Sequence, residues 1–280
     1  MNKILVVGAT GNIGRFLVDE LLKDGLSVKT LTRNPEKTNF PASVEVVKGD
    51  LRSREELINA LIDVEKVFLV LPNILPDIFI SAASEFKLKQ IVFVSSYSVE
   101  IDWNSKNNLI AKHHIESEAI IKNSKIPYTF LRPAGFMTSA FQWLHSIKSQ
   151  ATVFLPFPDV QHAVIHPRDI ALSAAAVFKS DIHLGKSYLL TGPELISFRE
   201  QVRLISETTK KELKVIQPER DAVLRMMSQN MPLSFVESII ELLESKPKTI
   251  NVSGNVKALT NTDGITFHTW ALENKNIFLS

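Results

Sequence analysis

Residues 3–14 read KILVVGATGNIG. The first five form a continuous apolar-rich run, the pattern of a strand buried on both faces rather than one half-exposed to solvent. Glycines follow at positions 8, 11 and 14. Ile13, Leu17 and Leu21 then recur at four-residue spacing with Phe16 beside them, which marks an amphipathic helix. Glycine inside a helix costs about 1 kcal/mol relative to alanine. A strand, a turn and a helix start that carry three glycines must therefore need bare backbone there.

Working outward, stretches at 27–32, 44–47, 66–71, 90–95 and 127–133 read as five further strands. The first helix stops at Asp24-Gly25, where glycine tolerates the left-handed conformation of a helix end. Ser53-Arg54-Glu55-Glu56 reads as a capping box opening a helix through Leu61. Pro72 ends the fourth strand, because proline cannot donate to a central ladder. Helices are expected over 74–86 and 109–123. Strands alternating with helices from residue 3 to residue 133 define an α/β fold, a Rossmann-type doubly wound parallel sheet. Beyond Pro133 the pattern loosens. Asp169 is expected to cap an alanine-rich helix, Ser197-Phe198-Arg199-Glu200 to open another as a capping box, and 232–243 to be helical. We divide the chain softly into a Rossmann domain, 1–150, and a smaller, mixed C-terminal substrate-facing region, 151–280, interleaved with it.

The composition narrows the chemistry. Of 280 residues, 45% are apolar and 22% charged, enough for a substantial core. The net charge of +2 comes without a basic block, so nothing points to nucleic acid or a membrane surface. The absence of cysteine excludes disulfides, thiolate metal sites and a cysteine nucleophile. The histidines are scattered, with no HExxH spacing, and no metal is expected. No apolar run approaches the roughly 18 residues of a membrane span. The N-terminal run breaks at Gly8, too early for a signal peptide. A cytoplasmic location is expected.

In a doubly wound sheet the first strand-to-helix turn lies at the carboxyl edge, where ligands bind. Gly8 would permit the tight turn, Gly11 the approach of a pyrophosphate to the backbone, and Gly14 close packing of helix on strand. Unpaired amides at the helix N-terminus would then meet the phosphate charge. The spacing is G-x-x-G-x-x-G, not the G-x-G-x-x-G of common dehydrogenases. An acidic residue ending the second strand would hold a ribose 2′-hydroxyl and select NAD. This chain has LTRNPEK instead, with Arg33 in that place and Lys37 close by. A guanidinium suits a 2′-phosphate. NADP(H) is therefore favoured, with NAD(H) the alternative.

The set GATGNIG, LTRNPEK, GDL at 49–51, VFVSS at 92–96 and YTFLRPAGFM at 128–137 resembles the atypical short-chain dehydrogenase/reductase superfamily. Within it, HHIESEAIIKNSKIPYTFLRP (113–133) and YLLTGPELIS (188–197) are most like the NmrA-like group, which includes NADPH:quinone oxidoreductases of the second type. The resemblance covers the chain to about residue 215. It implies that Thr10, Gly11, Asn12 and Ile13 line the pyrophosphate and that Asp50 and Leu51 flank the adenine. It also implies that Leu71 and Pro72 lie near the ribose and that Ser95 and Ser96 end the fifth strand beside the site. Phe136 and Met137 would wall the nicotinamide, while Trp103, Phe141 and Trp143 would offer an aromatic surface to a flat substrate.

Superfamily members that oxidise alcohols or epimerise sugars carry Tyr-x-x-x-Lys on the helix after the fifth strand, the ammonium lowering the phenol's pKa so that it relays a proton. Here the residues four beyond Tyr97, Tyr128 and Tyr188 are Ile101, Arg132 and Gly192. Counted along the family-like run, the tyrosine position falls on Ile110 and the lysine position on His114. A shifted register gives Asn108 and Lys112. Either way the relay is missing. The resemblance implies that histidine likewise replaces the lysine in quinone-reducing relatives, where His114 would position the nicotinamide ribose.

Three readings follow. The first is an NAD(P)H-dependent oxidoreductase transferring hydride to a small electrophile such as a quinone, which needs no phenol. The second is a non-catalytic NAD(P)-sensing regulator working through a protein partner. The third is a nucleotide-sugar epimerase, which lacks its catalytic phenol. A homodimer is the symmetric default for any of them.

Overall fold

The alternation of β1 (Lys3–Val7) sets the two cores of the molecule. Ile4 and Val6 pack on one side with Leu17, Val18 and Leu21 of α1 (Gly14–Lys23) and with Ile170 and Ala174 of α6 (Pro167–Phe178). Leu5 and Val7 pack on the other with Leu57 and Leu61 of α2 (Arg54–Leu61), Phe79 and Ala82 of α3 (Asp77–Ala83) and Ile121 of α4 (Leu109–Asn123). Each such side chain, fully buried, contributes about 1.5–3 kcal/mol. A strand that must satisfy both faces has no polar alternation, hence the unbroken run of the opening sequence. The computed structural model describes residues 3–71, 74–101, 108–229, 231–244 and 251–279.

β1 is joined in one parallel sheet by β2 (Ser27–Thr32), β3 (Glu45–Lys48), β4 (Val64–Leu69), β5 (Gln90–Val94), β6 (Tyr128–Pro133) and β9 (Ser187–Leu190). Their order is β3-β2-β1-β4-β5-β6-β9, so the winding reverses between β1 and β4 and opens a crevice at the strands' carboxyl ends. A third core sits beyond that edge. It is built on the 3₁₀ segment Met137–Trp143, α5 (Leu144–Gln150), β7 (Thr152–Phe154) and β11 (Lys214–Ile216), the last two paired in parallel. β8 (Gln161–His162) pairs antiparallel with β10 (Ile196–Ser197), which leads into α7 (Phe198–Thr209). α8 (Arg220–Ser228), α9 (Leu233–Glu244), α10 (Asn255–Thr260) and α11 (Phe267–Leu279) complete the chain. Phe267, Trp270 and Phe278 of α11 are buried in the third core with Val202 and Ile205 of α7. Among the described residues no helix is long and apolar enough to cross a membrane.

Several local expectations change. β4 starts and ends two residues early, because its ladder to β5 closes at Leu69–Phe93. α3 runs only from Asp77 to Ala83, short of the expected 74–86: the residue before Pro76 is driven away from helical angles. Asp169 does not cap α6. Pro167 takes the first helical position and His166 is the cap, its Nδ1 accepting from the Arg168 amide at 2.9 Å, while Asp169 Oδ2 accepts from the Ile265 amide at 2.8 Å. Ser53 caps α2 through the Glu56 amide, but the Glu56 carboxylate accepts from the Asp50 amide at 2.6 Å rather than completing the box.

Candidate functional site

Gly8 ends β1 with φ +78°, a left-handed conformation open to glycine at no steric cost. The Gly11 amide closes the turn by donating to the Gly8 carbonyl at 2.9 Å. A Cβ on Gly14 would lie 2.2 Å from that carbonyl oxygen and 2.6 Å from Ala9 Cα, so α1 crosses the turn where only hydrogen fits. α1 opens at Ile13 with no side-chain cap and no acidic residue in its first turn. The first amides of a helix have no partner within it. Gly8, Thr10, Gly11 and Asn12 are exposed above the buried Ile13 and Gly14. Accessible amides at the positive end of a helix dipole suit a diphosphate, so the residues present fit a dinucleotide.

A parallel sheet delivers the carboxyl ends of its strands to one edge. Arg33 follows β2, Asp50 and Leu51 follow β3, Leu71 lies beyond β4, Ser95 and Ser96 follow β5, and Phe136 follows β6. Pro72 and Trp103 lie outside the described residues. Arg33 and Lys37 are exposed and make no ion pair among the described residues. Asp50 accepts from the Arg52 amide at 2.9 Å and Leu51 packs against the second core. The buried Ser95 hydroxyl donates to Glu118 Oε1 at 2.7 Å, and Arg132 clamps the same carboxylate at 2.8 and 2.6 Å. Ser96 caps the short 3₁₀ turn Tyr97–Glu100 by accepting from the Ser98 amide at 3.1 Å.

Ile110 and His114, four residues apart on α4, share one face of that helix. Asn108 is occupied otherwise: its side chain caps α4 through the Ile110 and Ala111 amides and donates to the Ser238 carbonyl of α9. His114 Nδ1 is buried without a hydrogen-bond partner among the described residues, and the ring stands edge-on to His113 at 5.4 Å. Burial, with repulsion from His113, pushes its pKa down to about 4. The imidazole is therefore neutral at pH 7. It cannot hold a phenolate charge as a lysine would, but it can bond a ribose hydroxyl.

This burial has a consequence for stability. Burial also pushes His162 down to about 4 and Asp169 up to about 6. An unfolded histidine protonates near pH 6.5, so below that the unfolded chain binds more protons than the folded one, and stability falls until the folded pKa is passed. Each histidine should thus destabilise by on the order of 2–3 kcal/mol between pH 6.5 and 4. Asp169 works in the opposite sense over pH 6 to 4, since the folded state holds its proton more tightly. Thermal melts from pH 7 to 4 should show a net loss, and His114→Gln should flatten the slope by one histidine's share. An unchanged slope in that variant would refute the burial of a neutral His114.

A cavity of about 680 Å³ adjoins the turn, within the range of small-molecule sites. Tyr97, Phe136, Trp143 and Phe198 line it with Met226, Met227, Leu242 and Leu243 from α8 and α9. Thr138 lines it too and accepts from Asn12 Nδ2 at 3.5 Å, which ties the glycine turn to the cavity wall. Burial raises the Tyr97 pKa, so its phenol remains neutral and can act as a donor. His162 and Gln201 also line the wall, each with a buried Nε2 that has no partner among the described residues. An unpaired buried polar group costs about 1–3 kcal/mol.

Two residues expected at the substrate pack into the third core. Met137 is fully buried in the third core, and Phe141 packs on Trp270 and Phe278 at 5.1 and 5.8 Å; neither lines the cavity. Tyr97 has no lysine four residues on, and the signal for it in the sequence is its place directly after Ser95-Ser96 at a strand's carboxyl end. Tyr128 stacks on Phe130 at 4.4 Å and the Tyr188 hydroxyl meets His183 Nδ1 at 2.7 Å, and neither tyrosine lines the cavity. Nothing in the spacing marked His162 or Gln201.

The strand order and the glycine turn define a Rossmann-type α/β protein. The chain belongs to the NmrA-like family, whose model matches residues 1–262. It is similar to a (4-alkanoyl-5-oxo-2,5-dihydrofuran-3-yl)methyl phosphate reductase of Streptomyces griseus, 31% identical over 281 residues, with 98% of this chain and 99% of that protein covered. An NAD(P)H azoreductase of Xenophilus azovorans is 27% identical over 253 residues, 87% of each chain. Among solved structures, an NADPH-dependent quinone oxidoreductase of Escherichia coli in complex with NADPH shares the fold, with a TM-score of 0.81, 21% identity, and coverage of 96% of this chain and 99% of that one.

Proposed function

We propose that this chain is an NAD(P)H-dependent oxidoreductase passing hydride to conjugated, electron-poor acceptors, quinones foremost. One observation carries the reading: the glycine turn adjoins a largely apolar cavity through Asn12 and Thr138, while α4 offers Ile110 and His114 where a phenol–ammonium pair would stand. A quinone needs no such pair, because hydride supplies both electrons and water supplies the proton that completes the hydroquinone. NADPH supplies that hydride when bound. The chain's own residues bind and orient: the amides of the Gly8–Gly14 turn hold diphosphate, Arg33 with Lys37 holds a 2′-phosphate in preference to NAD(H), and neutral His114 bonds the ribose. Tyr97, Phe136 and Trp143 hold a flat acceptor and keep water out. Residues 1–150 supply the coenzyme side and, through Tyr97, Phe136 and Trp143, one wall of the acceptor cavity; residues 151–280 supply its other wall, with α6 and β9 returning to the sheet.

The relatives support this breadth. A 5-oxo-2,5-dihydrofuran, an azo compound and a quinone, after which they are named, are all conjugated electron acceptors. The test is to mix the full chain with NADPH and a panel of small quinones, an azo dye and a dihydrofuranone, following the reduced-nicotinamide absorbance. Oxidation above background is expected with the quinones. Saturable NADPH binding without turnover across the panel would instead assign a coenzyme-sensing regulator, and interconversion of a UDP-sugar would overturn the reading of Ile110 and His114.

A further inference from the structure

Two polar side chains of the cavity lining, His162 and Gln201, each carry a buried nitrogen for which hydride transfer has no use. The β8–β10 pairing sets His162 opposite Ile196, two residues ahead of α7. Phe198 opens α7 and lays its ring 4.9 Å from that of His162. Gln201 lies three residues further along the same helix face, and all three line the cavity. Gln201 is only 2% exposed. Its neighbours on α7, Val202, Leu204 and Ile205, are buried aliphatics, so an apolar residue at 201 would match its surroundings. A carboxamide there loses stability unless something in the cavity completes its hydrogen bonds. Neither Nε2 is open to water in the free protein, so a ligand oxygen that draws the two side chains toward the cavity would complete bonds that water leaves unmade.

We propose that Gln201 and His162 form a carbonyl-recognition subsite, in which the Gln201 amide and His162 Nε2 bond one oxygen of a flat conjugated ligand. The subsite selects quinones and enones over oxygen-free ring systems of the same shape. Its two donors match the two lone pairs of a carbonyl oxygen. The neutral imidazole can also accept from a hydroxyl by changing tautomer, so it serves the ligand in both its oxidised and its reduced form. Discrimination of this kind comes from the penalty on ligands that leave buried polar groups unpaired. The subsite rests on the reading of this cavity as the acceptor site, but its test does not require turnover.

The experiment is equilibrium dialysis of the full chain against menadione and against 2-methylnaphthalene, the same ring skeleton without the two oxygens. Wild type, Gln201→Leu and His162→Phe are compared. Wild type should prefer menadione, and each variant should lose about tenfold in menadione affinity while binding the hydrocarbon as well as before or better. Equal weakening of both ligands would mean a purely structural role and overturn the proposal. So would unchanged menadione affinity in both variants, or a wild type that does not prefer menadione. His162→Phe keeps a ring against Phe198, so it decides the matter if Gln201→Leu loses its cooperative melt. NADPH oxidation by menadione is measured separately. Ligand discrimination without oxidation sustains the subsite and removes the redox reading, whereas oxidation without discrimination does the reverse.

Discussion

Gly14→Ala should abolish NADPH binding. The new Cβ would sit 2.2 Å from the Gly8 carbonyl oxygen and 2.6 Å from Ala9 Cα, both backbone atoms that no rotamer can move aside. Relief requires α1 to lift from the turn, which pulls Leu17, Val18 and Leu21 away from Ile4 and Val6 in the first core. Overpacking of this kind costs about 3 kcal/mol, or a drop of about 5–10 °C in Tm. Because the same movement misaligns the amides proposed to hold the diphosphate, the coenzyme Kd should rise at least about a hundredfold. Gly254→Ala is the control: a Cβ there meets nothing within 4 Å, so melt and binding should stay as in the wild type. Calorimetric titration with NADPH, paired with thermal melts, checks both. Retained binding in Gly14→Ala would show that the coenzyme does not depend on this turn.

Arg33→Asp should reverse the coenzyme preference. Arg33 is exposed just past β2 and makes no ion pair among the described residues, so its replacement removes no structural contact. A guanidinium facing a 2′-phosphate forms paired charge-assisted bonds, and an acidic residue there would repel the phosphate while accepting from a 2′-hydroxyl. NADPH should bind about ten- to a hundredfold more weakly, while NADH binding holds or improves. Lys37, four residues on, should leave the variant some residual affinity for NADPH. Titration with each coenzyme gives the comparison. Equal weakening of the two would place Arg33 at the diphosphate instead, and an unchanged NADPH affinity would remove it from the site.

The glycine turn and six of the seven sheet strands were legible because their signals are local. Each strand of a doubly wound sheet is an apolar run closed by a turn residue, and the turn's glycines answer Gly8's own left-handed φ and the approach of Gly11 and Gly14 to the Gly8 carbonyl. β9 escaped notice because an edge strand needs little apolar surface: Ser187 is exposed, and only Leu190 is fully buried. The third core was illegible for a different reason. Periodicity shows that Met137, Phe141 and Trp143 share an apolar segment, but not that Trp143 faces a cavity while Phe141 meets α11 more than a hundred residues on. His162 and Gln201 come together only through the β8–β10 register, a pairing set by two residues on each strand. Asp169 shows the limit from another side. Its helix was readable, but the choice between Asp169 and His166 as cap depended on Pro167 and on a distant amide, that of Ile265.

Hydride transfer across the turn and cavity, without an ionisable phenol on α4, is tested most directly by a single turnover. The full chain is mixed anaerobically with menadione and with NADPH deuterated at the transferred C4 position, and both absorbances are followed. Coenzyme should be consumed one for one with hydroquinone, and deuterium should slow the reaction severalfold. Bound NADPH that stays reduced in the presence of bound menadione would contradict it.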